Sequence, residues 1–531
     1  MLKATMARGG MLSAPHHLAA QSGAAVLREG GNAVEAMIAA AATIAVVYPH
    51  MNGIGGDGFW LIAEPGRAPV AIRACGPAAQ LASREFFAAH GDTVIPTRGP
   101  RAAITVAGAI GGWQLAQAEA TRLGGRMPLP RLLADAIHHA QTGVPVTRSQ
   151  AHLTQTKWHE LRHVPGFAGT FAPDFASSGL PAIGATQRLP RLAATLGQLA
   201  AAGLDDFYRG DVARSMAREL EAVGSPLCLA DLEAYRAATV MPLSVQLGVG
   251  KVFNQPPPTQ GVSALAILGI FDQLGVRDAE SFAHVHGLVE ATKRAFRWRN
   301  ANVGDPSFMQ GDAQQFLSPD SLIREANAID TQRAAPWPDI AKPGDTIWMG
   351  AADSRGCVVS YIQSVYWEFG CGVVLDESGV QWQNRGSSFT LHDGPNALLP
   401  GRLPFHTLNP SLAQLKDGRV IAYGTMGGEG QPQTQAALFT RHVLFGQDLQ
   451  AAVSAPRWLL GRTWGEESTN LKLESRFAPA LVDALCAAGH DIQMLGEFED
   501  TMGHAGAVSF HRDGLIEGAS DPRADGFCAA C

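Results

Sequence analysis

A threonine at the start of a predicted strand is the residue whose position most directly suggests chemistry. Thr346 follows a loop rich in chain-breaking residues, 334–344, and opens the run 346–352, which is typical of a β-strand. A turn at 353–356 then leads to a second strand at 357–362. A hydroxyl residue in such a place can act as a nucleophile once the peptide bond before it is cut. The plain alternative is that Thr346 merely begins a β-hairpin, and the local pattern alone favours that alternative.

Cleavage before a threonine would supply the base that its hydroxyl needs. A threonine hydroxyl is a weak nucleophile and requires a group that takes its proton. After cleavage the residue's own α-amine lies beside the hydroxyl, and the reference pKa of such an amine is about 8. Part of that amine is unprotonated near neutral pH, so it can serve as the base.

A glycine loop at Met51–Gly58 is the second stretch that invites a chemical interpretation. A phosphate-binding loop is one interpretation, but a nucleotide fingerprint requires the order strand, loop, helix. Here a predicted helix precedes the loop and a predicted strand follows it, and no Gly-Lys-Ser/Thr is present. We therefore interpret Met51–Gly58 as a structural turn.

The bulk composition is that of a globular protein. The chain has 531 residues, of which 46% are hydrophobic and 17% charged, so it can fill a large core. A net charge of −7 with scattered Lys and Arg predicts no nucleic-acid partner. No apolar run reaches the roughly 20 residues of a membrane span, and the first ten residues lack the apolar core of a signal peptide. We therefore expect no membrane association and a cytoplasmic location.

Cysteine and histidine spacing predicts neither a disulfide framework nor a metal site. The seven cysteines are odd in number, and small buried thiols are their expected state. The adjacent pairs His16–His17 and His138–His139 lack the i, i+4 spacing that would put both rings on one helical face. We expect no bound metal.

The periodicity predicts many helices before residue 345 and short strands after it. Asn32 and Glu35 form a predicted capping box for an alanine-rich, buried helix at 33–47. Strands are predicted at 59–63 and 69–73. Further helices are predicted at 17–29, 132–141, 192–202, 212–223, 262–274, 281–300, 434–445 and 478–488. Two β-layers between two helix layers would suit these counts.

Eight short motifs lie in order along nearly the whole chain: Ser13–Ala19, Gly30–Ala36, Pro49–Phe59, Pro256–Gly261, Glu290–Phe296, Gly304–Pro306, Phe369–Gly372 and Gly424–Gly428. Together they resemble the motifs of the γ-glutamyltranspeptidase family of N-terminal-nucleophile hydrolases. The resemblance implies an α/β fold, a four-layer αββα sandwich of the N-terminal-nucleophile hydrolase type. It also implies chemistry that needs no cofactor.

By the same resemblance, the chain is a precursor that cuts itself at the Asp345–Thr346 bond. Cleavage would leave a large subunit, 1–345, and a small subunit, 346–531, which stay together, and a homodimer of that pair is left open. Thr346 would be the nucleophile, and the backbone N–H groups of Gly427 and Gly428 would form the oxyanion hole. Ser364 would supply a hydroxyl that contacts the nucleophile.

Each of these assignments has a plainer alternative. The pair Gly427–Gly428 could be an ordinary tight turn, and Ser364 could be a surface strand serine. Ile347 replaces the threonine that usually follows the nucleophile, which leaves the efficiency of cleavage open.

The chain departs from the transpeptidases at the positions that bind substrate. Arg73 is retained, and in the family this arginine holds the α-carboxylate of glutamate; the alternative is a surface arginine in a structural ion pair. The positions that hold the substrate's amino group are all changed. They are occupied here by Tyr366, Ser387, Ser388, His406 and Thr407. A site that keeps its carboxylate anchor and loses its ammonium anchors should not prefer γ-glutamyl compounds.

The strings at 345–350, 381–386, 404–410 and 427–433 resemble the oxamate-hydrolysing branch of the family, which serves purine catabolism. We therefore expect hydrolysis of oxamate, or of a similar small carboxylate amide, to oxalate and ammonia through an ester on Thr346. Four bulky residues could narrow the pocket or could equally belong to the core: Trp348, Tyr366, Trp367 and Trp382. Three alternatives stay open: a glutathione hydrolase or γ-glutamyltransferase, a glutaryl- or cephalosporin-type acylase, and an uncleaved binding protein.

Overall fold

The computed structural model describes residues 3–337, 345–461 and 468–531, with the side chain of Asp345 left out. The strands are β1 (Thr5–Ala7), β2 (Gly10–Ala14), β3 (Asp57–Ala63), β4 (Val70–Ala74), β5 (Val144–Pro145), β6 (Thr186–Gln187), β7 (Ala238–Val240), β8 (Leu243–Leu247), β9 (Gly250–Asn254), β10 (Asp345–Asp353), β11 (Val358–Tyr366), β12 (Ser411–Leu415), β13 (Val420–Thr425), β14 (Trp458–Leu460), β15 (Leu471–Glu474), β16 (Ile492–Leu495), β17 (Ala505–Phe510), β18 (Ile516–Ser520) and β19 (Phe527–Ala530).

The α-helices before β10 are α1 (His17–Arg28), α2 (Ala33–Val47), α3 (Arg84–Ala89), α4 (Ala109–Arg122), α5 (Leu129–Thr142), α6 (Arg148–Leu161), α7 (Phe167–Phe171), α8 (Phe175–Ser178), α9 (Pro190–Ala202), α10 (Asp206–Arg209), α11 (Asp211–Val223), α12 (Leu229–Ala234), α13 (Gly261–Leu274), α14 (Phe282–Asn302), α15 (Ala313–Phe316) and α16 (Pro319–Asn327). Those after it are α17 (Gln431–Phe439), α18 (Leu449–Ser454) and α19 (Pro479–Ala487).

Two large antiparallel sheets organise the described part of the chain, each of seven strands. One has the order β19-β2-β10-β11-β3-β4-β7, and the other has the order β1-β18-β17-β13-β12-β9-β8. Strand β10 therefore lies inside its sheet, hydrogen-bonded to β2 on one side and to β11 on the other. Strand β2 has no counterpart in the sequence predictions, because five residues carry too little periodic pattern to identify a strand.

The two sheets pack face to face, and helices cover both outer faces. Between the sheets lies an apolar layer that includes Phe59, Trp348 and Ile362 from one sheet and Phe253 and Leu412 from the other. A second core joins the outer face of the β10 sheet to helices such as α2 and α4, and a third joins the other sheet to α13, α14 and α17. The four-layer αββα fold expected from the sequence is confirmed.

The capping box that begins α2 is confirmed. The Asn32 side chain accepts the N–H of Glu35 at 2.9 Å, and the Glu35 carboxylate accepts the N–H of Asn32 at 2.8 Å. The other Glu35 oxygen accepts the N–H of Met127 at 2.7 Å. All fifteen residues of α2 are buried, since the helix is enclosed on every side as its apolar composition predicts.

None of the helices in the described ranges is long and apolar enough to cross a membrane.

Candidate active site

Thr346 stands at the head of β10, at the end of the inter-sheet layer. The register pairs Asp345 with Tyr366 and Ile347 with Gln363, so Thr346 falls opposite Ser364 and Val365 at a local irregularity. Thr346 is 0% exposed. The candidate nucleophile is thus held by strand pairing in a closed site.

The side-chain amide of Gln431 contacts the Thr346 hydroxyl. Its Nε2 donates to Oγ1 of Thr346 at 3.5 Å. Its Oε1 accepts from Asn409, from the backbone N–H at 3.2 Å and from Nδ2 at 3.0 Å. Because an oxygen must face these two donors, the NH₂ group of Gln431 is turned toward Thr346.

The glycine pair of the predicted oxyanion hole lies in the turn between β13 and α17. Gly427 has φ +113° and Gly428 has φ +53°, a backbone region that favours glycine. Gln431, which touches Thr346, follows Gly428 by three residues and begins α17. The turn is therefore brought to the nucleophile. The carbonyl of Gly428 accepts from Nε2 of Gln260 at 2.8 Å, which fixes the turn against α13.

Ser364 is buried near the end of β11, on the strand beside Thr346. Its Oγ accepts the N–H of Tyr366 at 2.7 Å. Tyr366 has φ +83°, which is strained for a side chain of this size, so the serine stabilises the turn that leaves the strand. The alternative of a surface serine is wrong, since Ser364 is 1% exposed. Its catalytic role stays a prediction.

A buried carboxylate lies on β3, the strand that pairs with β11. Asp57 of β3 lies opposite Ser364 in the register, and its Oδ2 lies 2.8 Å from Nε2 of His406. Its Oδ1 accepts the N–H groups of Gly108 at 3.0 Å and Gly76 at 3.3 Å. Burial raises the pKa of Asp57 to about 7, although the nearby positive charge of Arg385 acts in the opposite direction.

His406 is a neutral partner for this carboxylate. Burial, with a smaller contribution from the Arg385 charge, lowers the pKa of His406 well below its ordinary value. The ring of Phe59 packs edge-on against the imidazole, with centroids 4.8 Å apart. His406 therefore belongs to a closed, polar cluster at the end of the sheet.

A cavity of about 360 Å³ adjoins this cluster. Three of the predicted substrate-binding residues line it: Tyr366, Ser388 and Thr407. Arg299 and Glu429 also line it, and they form an ion pair at 2.8 Å. The cavity therefore brings together residues from both sides of the Asp345–Thr346 bond.

The remaining predicted binding residues, Arg73, Ser387 and His406, do not line this cavity. Ser387 is buried in the 3-10 turn 385–388 beside Ser388, and His406 is buried next to Thr407. Arg73 lies in β4 opposite Phe59 and is partly buried, so its side chain shares the inter-sheet side with that ring.

Of the four bulky residues considered for narrowing the pocket, Tyr366 alone lines the cavity. Trp348 belongs to the inter-sheet core, where its Nε1 donates to Oγ of Ser360 at 2.9 Å. Trp382 is fully buried, and its Nε1 donates to the carbonyl of Thr105 at 3.1 Å. Trp367 is partly exposed beneath the guanidinium of Arg98, 5.4 Å from the ring centroid. For Trp348 and Trp382 the core interpretation is the correct one.

Arg385 is a site residue that sequence reasoning missed, together with Asp57 and Gln431. The Arg385 guanidinium stacks on the Tyr366 ring, with Cζ 3.6 Å from the centroid, and its Nη2 donates to Oγ1 of Thr407 at 3.3 Å. Burial lowers the pKa of Arg385 to about 10, so the group is still a cation at neutral pH. Each of these three residues lies within a stretch of sequence that resembles the family. A charged or amide side chain in such a stretch was the signal that could have identified it.

Within the ranges that the structure describes, one group of side chains could hold a metal ion: His286, Glu290 and His490. The side chains of this group already bond to one another or to a neighbouring side chain. Nδ1 of His286 lies 2.8 Å from Nε2 of His490, and Glu290 pairs with Lys293 at 2.6 Å. Because an ammonium already neutralises the carboxylate, we assign the group a structural role.

The site as a whole can support acyl transfer. It combines a buried hydroxyl at a strand end, an amide donor on that hydroxyl and a glycine turn next to it. A nucleophile, backbone N–H donors and a base are the parts that such a reaction requires. In the continuous chain the nitrogen of Thr346 is still a peptide nitrogen, so the base would appear only after cleavage.

The sequence model of the γ-glutamyltranspeptidase family matches residues 19–531. The chain is 54% identical to the oxamate amidohydrolase proenzyme of Klebsiella pneumoniae over 522 residues, which cover 98% of each chain. It is 36% identical to the glutathione hydrolase-like YwrD proenzyme of Bacillus subtilis, with 99% of each chain covered. Among solved structures, the cephalosporin acylase of Bacillus halodurans superposes with a TM-score of 0.91 at 32% identity, over 100% of this chain and 97% of that one.

Proposed function

The chain belongs to the γ-glutamyltranspeptidase family, and we propose that it is a self-processing amidohydrolase that cleaves the amide of a small carboxylate, with oxamate as the expected substrate. Processing at Asp345–Thr346 would give a large subunit, 1–345, and a small subunit, 346–531. The two would remain together, because strands β2, β3 and β4 of the first and β10, β11 and β19 of the second share one sheet.

One observation carries the proposal: the buried Thr346 hydroxyl lies at a strand end with an amide donor and a glycine turn beside it. A threonine that only begins a hairpin would need none of these groups. The proenzyme names of the relatives from Klebsiella and Bacillus support processing before this residue.

Processing would use the same hydroxyl as turnover. Oγ1 of Thr346 attacks the carbonyl carbon of Asp345, and the C–N bond breaks as the proton moves to the nitrogen. The result is an ester between Asp345 and Thr346, and water hydrolyses that ester to a carboxylate and a hydroxyl. The products are the two subunits, the second of which begins with the α-amine of Thr346.

Turnover would then proceed through a second ester. The α-amine takes the proton of Oγ1, and Oγ1 attacks the amide carbon of oxamate. The N–H groups of Gly427 and Gly428 would stabilise the oxyanion, and one such donor is worth about 2.7–4 kcal/mol in comparable sites. Ammonia leaves with the proton from the amine. Water, deprotonated by the same amine, releases oxalate and restores the hydroxyl.

The preference for oxamate rests on the charges around the cavity. By family resemblance Arg73 would hold the substrate carboxylate. The positions that hold an ammonium in the transpeptidases carry neutral side chains here, such as Tyr366, Ser388 and Thr407 on the cavity wall. A γ-glutamyl substrate would bury its ammonium without the acidic side chains that the transpeptidases have at these positions, which is costly. The similarity to the oxamate amidohydrolase proenzyme supports the same substrate.

Ammonia release and a denaturing gel together test the proposal. On the gel, purified protein should separate into two fragments, one that ends at Asp345 and one that begins at Thr346. The same protein should release ammonia from oxamate. Thr346→Ala should stay one chain and be inactive, whereas Thr346→Ser keeps a hydroxyl and should still be cleaved. Activity on a γ-glutamyl anilide without activity on oxamate would reject the proposal.

A larger acyl group is the second candidate, and the size of the cavity favours it. A cavity of about 360 Å³ exceeds the needs of a two-carbon acid, and the similar cephalosporin acylase structure covers the whole chain. A glutaryl anilide in the same assay distinguishes the two, because faster turnover of that compound than of oxamate would assign the chain to this second activity. A single uncleaved band after long incubation would instead indicate a binding protein.

A further inference from the structure

Arg385 is a fully buried cation with unused hydrogen-bond donors. Its side chain is 0% exposed, and its Nε and Nη1 have no hydrogen-bond partner within the described part of the chain. Within the described residues its Nη2 donates one hydrogen bond, to Oγ1 of Thr407 at 3.3 Å. Buried donors and buried charges without partners are costly, so native proteins keep them mainly where a ligand completes them.

No carboxylate of the described residues forms an ion pair with Arg385. Asp57 lies near enough to influence its charge, but Oδ2 of Asp57 faces His406 at 2.8 Å and Oδ1 accepts backbone N–H groups. Arg299, which lines the cavity, differs in this respect, because it is paired with Glu429 at 2.8 Å. Of these two arginines near the cavity, Arg385 is the one that needs an anion.

The position of Arg385 relates it to the scissile bond. Its guanidinium lies 3.6 Å from the centroid of the Tyr366 ring, and Tyr366 is the register partner of Asp345. Its other neighbour, Thr407, lines the cavity together with Tyr366. Arg385 is therefore separated from the cavity by side chains that themselves form the cavity wall.

From these contacts we propose that Arg385 binds the carboxylate of the substrate, in addition to or in place of Arg73. This inference rests on the proposed function, since it assumes a carboxylate substrate at Thr346. A planar carboxylate can take two N–H donors from one edge of a guanidinium, and each such edge combines Nη2 with either Nε or Nη1. Both of these nitrogens lack a partner within the described residues, and Nη2 has a second N–H besides the one given to Thr407. A cation here also rejects a substrate ammonium, which explains why the amino-binding side chains are absent.

Under this proposal a carboxylate would reach Arg385 past the Tyr366 ring, which covers the guanidinium. Rotation of that ring away from the guanidinium would open the path.

Binding of oxalate, the expected product, tests this inference separately from turnover. Calorimetry on the processed protein should give a dissociation constant for oxalate that rises about 10- to 100-fold in Arg385→Gln, the range for a lost charged hydrogen bond. Arg385→Lys should recover part of the affinity. The matched control is Arg441→Gln, which removes another buried arginine, one that pairs with Glu280 away from the cavity. It should leave oxalate affinity unchanged.

Turnover of oxamate and of its neutral diamide, oxamide, supplies the second readout. Arg385→Gln should raise KM for oxamate and leave kcat/KM for oxamide near the wild-type value, since oxamide has no carboxylate. Equal losses for both substrates, or unchanged oxalate affinity in a folded Arg385→Gln protein, would overturn the inference. Wild-type protein that binds oxalate through Arg385 but does not hydrolyse oxamate would reject the proposed function and retain the anion site.

Discussion

The hydroxyl of Thr346 accepts a hydrogen bond from the side-chain amide of Gln431 across 3.5 Å, and the two residues are 85 positions apart in the chain. Asn409 holds the oxygen of that amide, so its NH₂ group has one orientation. The nucleophile's oxygen is thus positioned before any substrate binds.

Replacing Gln431 should slow both processing and turnover. In Gln431→Glu the donor on Thr346 is lost, and a loss of about 1 kcal/mol predicts rates lower by roughly fivefold. The measurements are the time course of cleavage on denaturing gels and kcat for oxamate. Gln433→Glu is the control, because Gln433 lies on the same helix and bonds Leu460 instead. Cleavage of Gln431→Glu at the wild-type rate would contradict the role given to this amide.

Gly427→Ala should lower kcat without unfolding the protein. An added Cβ would approach Gly503 no closer than 3.5 Å, so the cost arises from the φ of +113° and from movement of the N–H groups. Loss of an oxyanion donor predicts a decrease in kcat of about 10²- to 10³-fold.

Gly446→Ala is the matched control for the glycine turn. Gly446 also has positive φ, +68°, and has no heavy atom near an added Cβ. Thermal unfolding should show comparable small losses of stability in both variants. If the two variants also retained equal kcat, the turn at Gly427 would not be the oxyanion hole.

Ionisation of the Asp57 carboxyl should make the folded protein less stable as the pH rises toward 7. Its pKa in the folded state is raised to about 7, above the ordinary value of an unfolded chain. A raised carboxyl pKa means that the folded state binds the proton more tightly. This stabilisation is complete below the unfolded pKa and is lost as the pH rises through the folded one. Between pH 5 and 6 ionisation of this carboxyl lowers the free energy of unfolding by about 1.4 kcal/mol per pH unit.

Comparison of the wild type with Asp57→Asn isolates that contribution. The variant cannot ionise, so its thermal unfolding midpoint should fall less than that of the wild type between pH 5 and 7. Burial lowers the pKa of His406, which changes stability with pH in the opposite direction, and this contribution is common to the two proteins. Identical pH profiles for the two proteins would show that the pKa of the Asp57 carboxyl is not raised.

The position of the segment before the cleavage site should depend on a buried ion pair between Lys293 and Glu290. Nζ of Lys293 bonds Glu290 and the carbonyl of Ala335, both at 2.6 Å, and Glu290 accepts the N–H of Ala335 at 3.2 Å. Lys293→Met would leave Glu290 buried without its cation, so we expect a destabilisation of about 3–5 kcal/mol and slower processing. The measurements are thermal unfolding and the gel time course.

Arg294→Met is the comparison for this pair. Arg294 is the next residue on α14, and its partner Glu325 is partly exposed. Such pairs contribute about 0–1 kcal/mol, so this variant should lose much less stability than Lys293→Met. Equal losses in the two variants would contradict the special role of the buried pair.

Much of the fold could be predicted from local sequence. The capping box of Asn32 and Glu35, the buried helix α2 and the paired strands around Thr346 each depend on residues that are close in the chain. Local patterns of this kind carry their own physical cause, such as side-chain periodicity or a cap three residues away. The limits of β11 were less accurate: the strand continues to Tyr366, because Asp57 to Ala63 of β3 pairs along it.

The sequence by itself determined the layered fold, the identity of the candidate nucleophile and the loss of the family's amino-binding side chains. Only the tertiary structure brought Gln431 to Thr346, His406 to Asp57 and Arg385 to Tyr366. These contacts join residues that are far apart in the chain, and no local propensity encodes them. They arise because two sheets and the turns at their ends close around one buried site, where every charge and donor must find a partner or await a ligand.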